Sequence, residues 1–159
     1  MFSFGINRSI IIFEGDLRNM KKMINTSVIY AVLALAGGVF YREFTKLNGF
    51  TGYTTLSVVH THYLILGMFM FLILALLEKN IAFMTKKTDR LVLAYQAGLN
   101  LTVIMLIVRG VLQVIAQNSL SAGLNASISG IAGIGHLILG VSLVMLLLEV
   151  KKACSESSK

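Results

Sequence analysis

The chain has 159 residues, of which 56% are hydrophobic and only 13% charged, with a mean hydropathy of +0.80. Soluble domains carry roughly 25% charged residues, so this composition excludes an ordinary water-soluble globule and indicates an integral membrane protein. The formal net charge of +7 sits in short flanks around apolar runs, not in a basic stripe interleaved with aromatics, which points to a lipid bilayer and away from nucleic acid.

Residues 1–22 carry mixed charges and one brief apolar run at 9–13, and are expected to form an N-terminal cytoplasmic extension. The first long apolar stretch covers 24–41. Ala34-Leu35-Ala36 within it would suit leader cleavage, yet the apolar core continues to Tyr41 and stops at Arg42-Glu43, as a spanning helix does. Further stretches follow at 56–77, 91–116 and 126–150, each near or above the ~20 residues that cross ~30 Å of hydrocarbon. These runs are too long for strands, and with no proline in the chain each is predicted to be one continuous helix. Short connections then predict an all-α, four-helix, up-down-up-down transmembrane bundle over 23–150, followed by a polar tail at 151–159. The single cysteine, Cys154, lies in that tail and can close no intrachain disulfide.

Lysine and arginine set the expected orientation. Eleven of them flank one side (Arg8, Arg18, Lys21, Lys22; Lys79, Lys86, Lys87, Arg90; Lys151, Lys152, Lys159), while the other side has only Arg42 and Lys46. The positive-inside rule places both termini in the cytoplasm, which makes the chain a multi-pass protein of the cytoplasmic membrane.

No Asp or Glu falls well inside a predicted helix, since Glu43, Glu78 and Glu149 sit at ends. A carboxylate proton relay, a carboxylate-bridged di-iron centre and paired-carboxylate catalysis therefore lack their essential groups, and nothing marks the chain as an enzyme. What remains is three histidines, Arg109 and scattered amides and hydroxyls. Counted from the helix ends, His60 and His62 lie roughly 6 to 15 Å deep, His136 about 15 Å and Arg109 about 12 Å. An arginine at that depth should face protein, a cavity or an anion.

Helical phase groups His60 with Ser57, Leu64 and Gly67, and His136 with Ser129, Ala132, Gly133 and Gly140, so both are expected to face inward and to pair. Arg109 shares a stripe with Gly98, Thr102 and Gln113. His62, about 200° around from His60, falls with Val58, Val59, Ile65 and Phe69 and should meet lipid, a neighbouring helix or another subunit. Because His60 and His62 diverge, one helix can hardly aim both at one metal, which disfavours a three-histidine zinc or copper centre. Haem b suits the inventory better, with His136 and either His60 or His62 as axial ligands to the iron and Arg109 near a propionate. Electron transfer, haem handling and gas sensing are the corresponding roles. The alternative is a cofactor-free accessory or assembly protein, alone or as a homo-oligomer, whose histidines and arginine hold helices together by hydrogen bonds. A transporter is disfavoured by the lack of buried acids and of broken helices in paired segments.

Four blocks, FYREFTK (40–46), SVVHTHYLILGM (57–68), LIVRGVLQV (106–114) and GIAGIGHLILG (130–140), together resemble a bacterial family of small four-helix membrane proteins of unknown function, over about residues 20–150. That resemblance implies the fold and little chemistry. The second block, a histidine near the outer end of a helix followed by an apolar run with Gly and Met, also resembles the low-spin haem ligand helix of haem-copper oxidase subunit I. The chain departs from the oxidases in having four helices, not twelve, and no evident cross-linked tyrosine or three-histidine copper centre.

Overall fold

The computed structural model describes residues 3–116 and 121–157; residues 117–120 of the predicted third connection (117–125) and the tail residues 158–159 lie outside them. Four helices, α1 (Ser3–Leu47), α2 (Thr55–Ile81), α3 (Lys86–Ala116) and α4 (Ala122–Ser157), follow one another. Each contains a segment long and apolar enough to cross a membrane. Lys22 pairs with Asp89 and Lys87 with Glu149 at the end that carries the described parts of both termini. Thr55 meets Gln113 and Arg109 meets Asn125 at the opposite end, so neighbours run antiparallel.

α1 buries Met23, Ser27, Tyr30 and Ala34, an i, i+4, i+7, i+11 stripe, and turns Val28, Ile29, Val32, Leu35 and Val39 outward. The helix passes without a break through the boundary expected at 22/23. Asn19 already bonds Glu78 and Met20 already packs on the core, so the packed unit begins before residue 23.

α2 departs from the regular helix predicted for it. It opens with a 3₁₀ turn at Thr55–Val58 and an α turn at Val59–His62, widens into a π segment at Tyr63–Phe69, and returns to α geometry at Met70–Ile81. The cause is packing, not proline. Val59, Tyr63, Gly67 and Phe71 are all buried at intervals of four, a spacing that would drift about 40° per step on a regular helix. The wider π turns take back that drift and hold one face inward. The irregular carbonyls are satisfied from neighbouring helices: Tyr95 donates to Leu66 O at 2.7 Å and Ser27 to Met68 O at 2.8 Å.

α3 and α4 form the closest pair. A Cβ on Gly98 would lie 2.5 Å from Leu139 N, and one on Gly135 would lie 2.8 Å from Thr102 Oγ1, so the two backbones nearly touch. α1 lies along α2 and α4 along α3, while among the described residues α1 and α4 share no extensive contact. α2 and α3 are thus the central pair. The outward faces of α1 and α4 are apolar, with Leu35 and Leu137 more than 60% exposed, and suit contact with a lipid bilayer.

Candidate functional site

The head of α2 is docked on α3 by polar contacts that set its azimuth. Thr54 Oγ1 donates to Gly110 O at 2.9 Å, Thr55 Oγ1 to Leu106 O at 2.8 Å, and Thr55 N to Gln113 Oε1 at 2.9 Å. A Cβ on Gly110 would lie 2.6 Å from Leu56 N, so no larger residue would allow this approach. From this fixed start, His60 and His62 leave α2 in different directions.

His60 turns to α1, where its Cβ is 3.7 Å from the Cβ position of Gly38. Its Nδ1 is buried with no hydrogen-bond partner among the described residues. His62 turns to α4, and its ring centroid lies 6.3 Å from that of His136 with the planes at 88°. The expected pair of His60 with His136 is therefore corrected: His62 is the imidazole beside His136.

In both rings Nδ1 lies against the carbonyl four residues earlier, Val58 O at 2.8 Å for His62 and Ala132 O at 2.9 Å for His136. A carbonyl only accepts, so Nδ1 is the donor in each ring, which in a neutral imidazole leaves Nε2 as the nitrogen able to accept or coordinate. Among the described residues no hydrogen bond joins an imidazole to another helix. His62 is half-buried, whereas His136 is exposed together with Ser129, Gly133 and Gly140. This corrects the inward face assigned to α4. Its buried stripe runs through Ile128, Gly135, Leu139, Ser142 and Leu146, because Gly135 is the glycine that lets α4 settle onto Thr102. Gly133 and Gly140 meet nothing within 4 Å. Beside His136 an open groove of about 400 Å³ runs along α4, lined by Leu137, Gly140, Val141, Val144 and Met145.

Arg109 is half-buried and reaches across to the first turns of α4. Its Nη2 donates to Asn125 O at 3.3 Å, to Asn125 Oδ1 at 3.2 Å and to Ser129 Oγ. No carboxylate pairs with it among the described residues. Of its expected stripe, Gly98 and Thr102 are buried against α4, while Gln113 serves the head of α2. Among the described residues no three His, Cys, Asp or Glu side chains gather closely enough to hold a metal ion, so His60, His62 and His136 do not form a three-imidazole centre.

Two polar features escaped sequence reasoning. Asn100 on α3 donates Nδ2 to Tyr30 OH at 3.1 Å and accepts at Oδ1 from Tyr63 OH at 3.2 Å, which ties α1, α2 and α3 together inside the bundle. Tyrosines far from the ends of apolar runs were the available signal, since interfacial belts are their usual place. Glu78, at the end of its helix by sequence, is only 1% exposed. Its Oε1 accepts from Asn19 Nδ2 at 3.0 Å and its Oε2 from Met84 N at 2.9 Å, which clamps the left-handed turn at Ala82 between α2 and α3.

Four membrane-length helices joined by short connections, with the imidazoles of α2 and α4 in a T-shaped contact, define a small polytopic four-helix membrane protein. Residues 20–153 match the family described as Protein of unknown function (DUF2871), and the chain belongs to that family. No curated protein and no solved structure matches the chain, and the likeness of α2 to an oxidase haem ligand helix rests on its motif alone.

Proposed function

We propose that this protein is a b-type haem protein of the bacterial cytoplasmic membrane, with both termini cytoplasmic, and that His62 and His136 are the axial ligands. The observation that carries the reading is the His62–His136 pair itself, two rings 6.3 Å apart on different helices, each with Nδ1 tied to its own backbone. Such a bond orients an imidazole and raises the basicity of its other nitrogen, the usual support of a metal-bound histidine. Two imidazoles on opposite sides of one metal, each bound at about 2.0–2.1 Å, have ring centres roughly 6 Å apart. Gly133 and Gly140, one turn either side of His136, leave bare backbone where a flat macrocycle needs room. His60 is left out of the ligand set because it faces α1. Two imidazole ligands leave no open iron position, which favours electron transfer to a redox partner or haem handling over gas sensing.

A cofactor-free accessory role, alone or as a homo-oligomer, is the second reading. It is favoured by Arg109, whose bonds all go to neutral groups of α4. A visible spectrum of protein purified from haem-replete cells separates the two. The haem reading expects a Soret band with sharp α and β bands on reduction, lost in His62→Ala and His136→Ala and kept in His60→Ala. A colourless preparation would overturn it.

A further inference from the structure

The geometry points to Arg109, Asn125 and Ser129 as a carboxylate seat for the propionates of the bound tetrapyrrole, which therefore point toward the α3–α4 connection; this rests on the haem reading above. Ser129 lies seven residues before His136, which on a helix is two turns, about 10.5 Å of rise and only about 20° of rotation. Seat and imidazole thus share one face of α4, spaced like the propionate arms and iron of one macrocycle.

The donors are open on that face. Arg109 uses only Nη2 for its contacts to Asn125 and Ser129, and its Nε and Nη1 protons have no partner among the described residues. Asn125 accepts at Oδ1, which leaves its amide NH₂ group to donate. Ser129 both accepts from Arg109 and donates to Asn125 O at 2.9 Å, so it is a positioning residue with nothing left to give the ligand. With Nε and Nη1 open and no carboxylate beside it among the described residues, the guanidinium can still take an anion, and a carboxylate fits its planar fork. A phospholipid phosphate has the same oxyanion chemistry, and the test separates the two sources.

The full chain in phosphatidylcholine nanodiscs is titrated with ferric haem b and with its propionate dimethyl ester, following the low-spin Soret band. Wild-type protein should bind haem roughly tenfold or more tightly than the diester, as expected when hydrogen bonds to a charged group are lost. Arg109→Leu should abolish that preference by weakening haem far more than the diester, and Arg109→Lys should keep part of it. Equal wild-type affinities, with low-spin spectra for both, would overturn the seat, leave Arg109 to lipid phosphate or to its α4 acceptors, and leave the His62–His136 site standing. Wild-type protein that binds neither porphyrin would overturn both proposals.

Discussion

Tyr95, fully buried on α3, donates its hydroxyl proton to the carbonyl of Leu66 at 2.7 Å, in the middle of the π segment of α2. In hydrocarbon a widened helical turn persists only where something else satisfies the displaced backbone groups, and Tyr95 does this from one side as Ser27 does from the other. The π segment lies directly after His62. The contact that stabilises it therefore also helps aim the imidazole.

Tyr95→Phe removes that donor and leaves the rest of the ring in place. The expected loss of stability is about 1 kcal/mol, the scale of a single hydrogen bond inside a membrane bundle. Thermal unfolding in mild detergent measures it, and Ser27→Ala should give a loss of the same order. Unchanged midpoints for both variants would show that the π segment does not depend on these donors.

Glycines on opposite faces of the α3–α4 pair should respond oppositely to an added methyl. In Gly98→Ala it would meet backbone atoms of Leu139 at 2.5 and 2.9 Å, which cannot rotate away. The helices must part, at a cost of about 1–3 kcal/mol. Gly133→Ala meets nothing within 4 Å, and alanine is the better helix former. Its unfolding midpoint should not fall, whereas its bound haem per chain should. Full haem retention in Gly133→Ala would place the macrocycle elsewhere.

Glu78→Gln keeps the size of the side chain but replaces one of two accepting oxygens with an NH₂ group. Asn19 Nδ2 and Met84 N then compete for one acceptor. A buried donor left unsatisfied costs about 1–3 kcal/mol. The effect should be local to the Ala82 turn, read as faster amide exchange at Met84 and its neighbours. Exchange there at the wild-type rate would mean that the turn is held by its backbone alone.

The proposed orientation is tested by single cysteines in a Cys154→Ser background. A cysteine at Thr51 or Ser121 should react with a membrane-impermeant maleimide on intact cells, and one at Thr85 should not, as the distribution of basic residues requires. The reverse pattern would invert the protein in the membrane.

Helix number, approximate span and membrane class follow from the sequence, because the length of an apolar run is compared with the thickness of a bilayer without reference to any neighbour. The divergence of His60 and His62 is equally local, being set by two residues of helical rotation. Which helix each imidazole faces is not local. Small residues flank both sides of α4, and periodicity alone did not show that Gly135, rather than Gly133 or Gly140, would be the one pressed against α3. The close approach over Gly98 and Thr102 decided that, and so turned His136 outward toward His62. The π segment is likewise not legible in the sequence, since it depends on packing against α1 and α3 and on the donors they supply, and not on any breaker within α2. Glu78 shows the same division: position placed it at a helix end, and only the packing of Asn19 and Met84 around it put a carboxylate inside the protein.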